Sequence, residues 1–218
     1  MNCPLCAGFE KEFSQRTARK DLLKYRVYGP AKYTKIIIDY LVEEGVENRS
    51  LLDIGGGIGV IQHELLKHGL AHVVNVDASI AYQETVKEEA ILKGFQDKID
   101  FIFGDFVALS EQVSDADIVT LNRVICCYRD MDQLVRKSVS RATSYFAVVY
   151  PHNSLFLRIA FRIFNVYYRF TRGGFRIYHH PVNELRRLIY AHNFRQVLRT
   201  GVGRLEKWWV EIYKKESP

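Results

Sequence analysis

Two hundred and eighteen residues at 25.4 kDa make one domain, or one domain with a cap, and are too much chain for a bare binding module. With 48% apolar and 26% charged residues the chain can build a core, which excludes a disordered protein, and no apolar run approaches the ~18–20 residues of a membrane span. The net charge of +6 is local: His152 to Arg204 holds ten Arg, no Lys and one acidic residue, Glu184, so the rest of the chain is net acidic.

The opening MNCPLCAGFEKEF lacks a charged leader followed by an apolar stretch, so a secretory signal is not expected, and four cysteines suit a reduced cytosolic setting. Cys3-Pro4-Leu5-Cys6 is half of a zinc ribbon without a second pair at suitable spacing, so no metal site is expected. Two helices follow, Phe9–Arg26 and Ala31–Glu44, broken at Tyr28-Gly29-Pro30. This N-terminal segment, residues 1–50, is expected to cover a ligand site in the domain that follows, 51–218.

After Ser50 short apolar runs alternate with helical stretches. Strands are expected at Leu51–Ile54, His72–Val76, Ile99–Phe103, Ile118–Leu121 and Tyr145–Tyr150, with helices at Val60–His68, Ile80–Lys93 and Met131–Arg141. That rhythm predicts an α/β fold, a largely parallel sheet covered on both faces. A cap, about 152–180, interrupts it with an apolar helix near Ser154–Phe170, ending at Thr171-Arg172-Gly173-Gly174. A helix at Val182–His192 and strands at Gln196–Val202 and Trp208–Lys214 complete the chain, the last two expected as an antiparallel hairpin.

The sharpest motif is Asp53-Ile54-Gly55-Gly56-Gly57-Ile58-Gly59, between a strand and a helix. Its glycines let the backbone turn sharply and approach a ligand closely. A dinucleotide fingerprint needs a sixth-position glycine where Val60 stands, and a P-loop needs a Gly-Lys-Ser/Thr ending that is missing. What remains is an acidic residue, G-x-G-x-G, a second carboxylate at Val76-Asp77 and a third at Gly104-Asp105-Phe106.

This combination, spanning Ser50 to Tyr150, resembles the class I S-adenosylmethionine-dependent methyltransferases. The resemblance implies a Rossmann-like seven-stranded sheet with a reversed last strand. It also implies that Asp53 orders the turn, Gly55 and Gly57 face the methionine part of the cofactor, Asp77 with Ala78 binds the ribose, and Asp105 and Phe106 read the adenine. Asn122-Arg123 would offer a carbonyl to the cofactor's amino group. The segment Leu121–Tyr128 lacks the Asn/Asp-Pro-Pro-Tyr/Phe of amino-methylating nucleic-acid enzymes, the Pro-Cys of cytosine-C5 enzymes and the acidic cluster of metal-assisted catechol enzymes. It is most similar to magnesium-protoporphyrin O-methyltransferases and their bacterial relatives, which carry a His-Tyr pair where Cys127-Tyr128 stands here and a Tyr-Gly like Tyr28-Gly29.

A small apolar acceptor, anionic and methylated on oxygen, is therefore expected; a carboxylate needs no base, whereas a hydroxyl would need one of His152, Tyr28 or Tyr128. Cys126 and Cys127 are expected to line a pocket or the core rather than to act as nucleophiles. On a helical wheel Arg158, Arg162, Asn165 and Arg169 fall within a stripe of roughly 40–60°, leaving a wide apolar remainder for the sheet domain, a second subunit, a membrane surface or a greasy substrate to cover. A cofactor-binding sensor or scaffold without turnover, and an RNA methyltransferase using arginines and aromatics on RNA, are the alternatives.

Overall fold

The computed structural model describes residues 12–152, 155–171, 175–203 and 208–216. The expected start of the first helix at Phe9, the Cys3–Cys6 pair and Arg172–Gly174 lie outside these residues. Helix α1 (Gln15–Tyr28) begins after Ser14, whose extended backbone (φ −73°, ψ 163°) interrupts the continuous helix expected from Phe9, and Gly29 ends it with φ 72°. Helix α2 (Lys32–Glu43) buries Ile37, Ile38 and Leu41.

The α/β alternation then runs as expected, with boundaries shifted by at most three residues: β1 (Ser50–Ile54), α3 (Val60–Lys67), β2 (His72–Asp77), α4 (Ile80–Lys93), β3 (Ile99–Phe103), a short α5 (Phe106–Leu109), β4 (Ala116–Asn122), α6 (Met131–Ser140) and β5 (Ala142–Pro151). The cap helix α7 (Leu155–Thr171), α8 (Val182–Tyr190), β6 (Phe194–Val202) and β7 (Trp208–Lys215) follow. The sheet order is β3-β2-β1-β4-β5-β7-β6; β7 runs antiparallel to both neighbours, as the terminal hairpin required.

Side-chain alternation divides the core in two. Leu51, Ile118 and Ala147 pack under α2 and α3 on one face, whereas Leu52, Val119 and Val148 pack against α6 and α8 on the other. Helix α1 buries a smaller apolar face, Ala18, Leu22 and Tyr25 against Ile58 and Tyr82, and polar contacts add to it. The Tyr82 hydroxyl donates to Asp21 at 2.6 Å, Ser79 Oγ donates to the Phe13 carbonyl at 2.9 Å, Tyr25 bonds Glu64 and Arg26 pairs with Glu89. These contacts place α1 over the carboxyl ends of β1 and β2, where an open α/β sheet binds its ligands.

Candidate active site

A cavity of about 840 Å³ lies at those strand ends, between the sheet, α1, the start of α2 and the cap. Its floor is the glycine turn. Gly55 has φ 62° and donates its N–H to the Val76 carbonyl at 2.7 Å. A Cβ on Gly55 would lie 2.7 Å from Val124 Cγ2, and one on Gly56 would lie 2.5 Å from Asp53 Oδ2 and 2.7 Å from Asn75 Nδ2. Gly56→Ala must therefore displace two buried polar groups. It is expected to abolish cofactor binding and to destabilise the fold by about 1–3 kcal/mol, read by calorimetric titration and thermal unfolding; unchanged affinity would show that the turn is not the cradle.

Two carboxylates stand behind this turn. Asp53 is buried; its Oδ1 accepts from Thr120 Oγ1 at 2.6 Å and its Oδ2 has no partner in the protein. Burial, opposed by the Thr120 hydrogen bond and reinforced by the Asp77 charge, pushes its pKa up to about 6. Asp77 accepts from Gly57 N–H at 3.1 Å and Ser79 N–H at 2.8 Å, and burial still pushes it up to about 6. Unfolded aspartates titrate near ~3.9, so both groups favour the fold most when protonated, and that stability is lost as pH rises through about 6. A bound cation favours the ionised forms. Affinity for a cationic cofactor is accordingly expected to be full at pH 7.5 and to fall as pH drops below about 6, measured by titration calorimetry; a flat profile would separate these groups from the ligand.

Asp105 begins α5, accepting from Val107 N–H at 3.0 Å, and its two oxygens accept the Tyr128 hydroxyl at 3.0 and 2.9 Å. Burial and the Asp105 charge push the Tyr128 phenol well above the usual tyrosine range, so it keeps its proton, which it donates to Asp105 in the hydrogen bond. Tyr28 lines the cavity while 79% exposed, at the mouth. His152, expected on the active-site edge, instead lies against Trp209 with centroids 5.5 Å apart and the rings tilted by 35°, and it is Pro151 that enters the cavity wall. The three candidate bases are thus not brought together: one is bound to Asp105, one stands at the mouth and one sits beside Trp209.

Asn122 donates to Thr34 Oγ1 at 3.1 Å and leaves its buried Oδ1 without a partner. Arg123, at φ 67°, donates to the Tyr33 hydroxyl at 2.9 Å and lies over the Tyr33 and Trp208 rings at 5.6 and 4.9 Å. Cys126 and Cys127 are free thiols in the cavity wall, their sulfurs 3.8 Å apart. Cys126 and burial hold the Cys127 thiol up, which disfavours Cys127 as a thiolate nucleophile, whereas the hydrogen bond with Cys127 lowers Cys126.

The cap expected at about 152–180 forms the roof, although which of its residues face the cavity was not visible in the sequence. Phe161, Phe164 and Tyr168 of α7, with Phe175 and Ile177 of the strap 175–180, close the far side. Asn165 clips the strap: its Nδ2 donates to the Ile177 carbonyl and its Oδ1 accepts the Ile177 N–H, both at 2.8 Å. The strap is tied on to the wall through Tyr178 N–H to the Cys126 carbonyl at 2.7 Å and through His180 Nε2 to the Tyr128 carbonyl at 2.8 Å. One signal was present, since Asn165 is a short amide able to pair with a backbone edge in an otherwise apolar or Arg-bearing helix.

Three of the ten arginines in the arginine-rich segment are paired with carboxylates. Arg186 and Arg199 pair with the buried Glu211, and Arg187 pairs with Glu184, so these three do not face the cavity as an anion site. The side chains of Arg158 and Arg169 lie outside those described.

Residues 52–142 match the family described as "Methyltransferase domain". Over these residues the sequence is that of an S-adenosylmethionine-dependent methyltransferase domain. The domain is similar to protein arginine N-methyltransferase 1 of Saccharomyces cerevisiae, 34% identical over 73 residues that cover 34% of this chain and 21% of that protein. The chain thus spans about a fifth of the length of that curated relative. In fold the chain is similar to magnesium protoporphyrin IX methyltransferase from Synechocystis with bound S-adenosylmethionine, at TM-score 0.69 and 13% identity over 97% of both chains. It is also similar to an O-methyltransferase family protein from Burkholderia thailandensis, at TM-score 0.65 and 14% identity over 94% of this chain and 64% of that one. At these identities the structural likeness carries the fold.

The site residues fit the cofactor that this family uses. Two buried oxygens without partners, Asp53 Oδ2 and Asn122 Oδ1, belong to cavity-lining residues, beside a glycine cradle that side chains would fill. Acceptors left bare in a buried wall suit a ligand that brings an ammonium and hydroxyl donors.

Proposed function

We propose that this methyltransferase acts on a small, apolar, anionic acceptor, with a carboxylate oxygen as the methylated atom. The observation that carries this reading is the two-sided cavity: carboxylates and glycine turn on one side, and an aromatic roof with the Arg123 cation in the wall on the other. S-adenosylmethionine supplies a methyl group already activated on a sulfonium. Asp77 and Ala78 would hold the ribose, Asp105 and Phe106 the adenine end, and Asp53, Gly55, Gly57, Asn122 and Arg123 the methionine end. Residues 1–50 would act as a cover, the described part of which is α1 and α2. The volume is near the upper end of the ~300–1,000 Å³ of small-molecule sites, which suits two ligands side by side.

The placement of Tyr28, Tyr128 and His152 supports a carboxylate over a hydroxyl. A carboxylate is ionised at neutral pH, so the protein needs only to desolvate it and hold it in line. Arg123 would orient its charge and the aromatic roof its apolar body. The two described cysteines are free, which suits a reducing, cytoplasmic compartment.

The test uses the purified protein, methyl-labelled cofactor and extract of the source organism. Label in the solvent-extractable fraction, released as methanol by alkali, is expected for a methyl ester. Alkali-stable label there would shift the acceptor to a hydroxyl or carbon. Label in RNA or protein would overturn the small-molecule reading, and cofactor binding without label in any fraction would favour a sensor or scaffold.

A further inference from the structure

Helix α7 resolves into three sectors. Phe161, Phe164 and Tyr168 face the cavity, and Asn165 turns toward the strap. The opposite side carries Ile159, Ile163, Val166 and Tyr167, which are 51%, 65%, 63% and 58% exposed. Spaced at i, i+4, i+7 and i+8, these four make one continuous aliphatic and aromatic ridge. Arg162, also exposed, borders it, and Leu155–Thr171 contains three Arg and no acidic residue or Lys. Helix α1, across the same cavity, repeats the pattern. Leu23 and Val27 are 63% and 62% exposed, among the exposed cations Arg16, Arg19, Lys20 and Lys24. Tyr28 and Phe164, 79% and 48% exposed, line the cavity as well, so its mouth opens among these apolar residues.

We infer that the α7 ridge, assisted by α1, docks on an anionic lipid bilayer, so that the cavity mouth opens at the membrane interface. The partner is chosen by charge. A second copy meeting this face through a two-fold axis would bring Arg162 against its own image, and like charges at a desolvated contact repel. A bilayer bearing phosphatidylglycerol or a similar lipid supplies the opposite charge and an apolar interior for the ridge. Arginine stems snorkel along such a surface while their guanidinium groups reach the phosphates. Among the described residues no helix is long and apolar enough to cross a membrane, so the contact is one of lying on the surface. The inference goes beyond the acceptor reading and stands without it, because it rests on exposed residues outside the cradle.

The test is flotation of the full-length protein with two kinds of vesicle, phosphatidylcholine alone and phosphatidylcholine mixed with phosphatidylglycerol. Binding is expected to the mixed vesicles and to fall about tenfold or more at about 1 M salt, where the screening length is about 3 Å. The double variant I163E/V166E is expected to lose binding by a similar factor while keeping the parent's cofactor affinity and melting temperature, since both side chains are exposed and neither lines the cavity. Equal binding to the two vesicle types, or binding that survives the double variant, would overturn the proposal. A dimer in sedimentation equilibrium that I163E dissociates would overturn it as well, by assigning the ridge to a second copy. Failure of cofactor binding in the parent protein would count against the function proposed above and leave the flotation result standing.

Discussion

Asp77→Ala is expected to weaken cofactor binding by about 10- to 100-fold, the loss that follows from removing hydrogen bonds to a charged group worth about 1.5–3 kcal/mol. The reason lies in what Asp77 holds as well as in what it would bind. Its carboxylate accepts from the N–H groups of Gly57 and Ser79, joining the glycine turn after β1 to the start of α4. Each carboxylate oxygen has a second acceptor position to offer a ribose hydroxyl. Alanine removes the ligand contacts and unties the turn together, so the loss should appear as a higher dissociation constant and a faster off-rate. Asp77→Asn keeps the shape and one acceptor oxygen and is expected to fall between alanine and parent. Affinity in Asp77→Ala within about twofold of the parent, where RT ln 2 is below ~0.5 kcal/mol, would remove this residue from the site.

The largest loss of stability is expected from Glu211→Ala. Glu211 lies in the centre of β7, fully buried, and accepts from Arg186 Nε at 3.1 Å and the Tyr213 hydroxyl at 2.5 Å, with Arg199 Nε at 3.2 Å. Arg186 also reaches the Tyr150 hydroxyl at 3.4 Å, so the cluster bridges α8, β5, β6 and β7. Removing the one anion leaves Arg186, which is 81% shielded by its surroundings, without its counter-charge. Breaking a buried pair in this way costs about 3–5 kcal/mol. For a chain of this size that is a fall in melting temperature of about 6–20 °C. Differential scanning calorimetry reads it directly. Adding Arg186→Met to Glu211→Ala should restore part of the loss, because the orphaned cation is then gone. If the single variant melts within about 2 °C of the parent, less than ~1 kcal/mol, the cluster is not the clasp described.

The elements nearest the cradle were the most legible in the sequence. β3 and α4 have the expected bounds because Phe103-Gly104 and Lys93-Gly94 punctuate them, and Gly94 caps α4 with φ 71°. Asp53, Asp77 and Asp105 could be placed at successive strand ends because strand period and turn chemistry pointed the same way. Side-chain direction beyond a strand end has no such guide. His152 follows β5 directly, yet the ring of Trp209 from the neighbouring β7 draws it off the cavity, a contact set by the antiparallel register Tyr150↔Trp209. Tyr128 was legible as a candidate base but not as the partner of Asp105, because the pairing spans 23 positions. The arginine run misled in part for the same reason: Glu211 lies outside the run and neutralises Arg186 and Arg199 from a neighbouring strand. The continuity expected of α1 broke locally at Ser14, which takes the extended conformation suited to a helix N-terminus even though its side chain caps no backbone group there.

The order of the last strands also governs how the chain can be assembled during synthesis. β6 is made before β7, yet in the sheet it touches only β7, and β7 is what joins it to β5. While a ribosome is still making residues 152–207, the edge of β5 from Tyr145 to Pro151 has no strand to accept or donate its ladder bonds, and β6 has no sheet to join. An open apolar edge of this kind is a pairing hazard for a nascent chain. Completion is therefore a single late event: one strand, Trp208–Lys215, closes two ladders at once and carries in Glu211, the charge that makes the closed arrangement tolerable for Arg186 and Arg199.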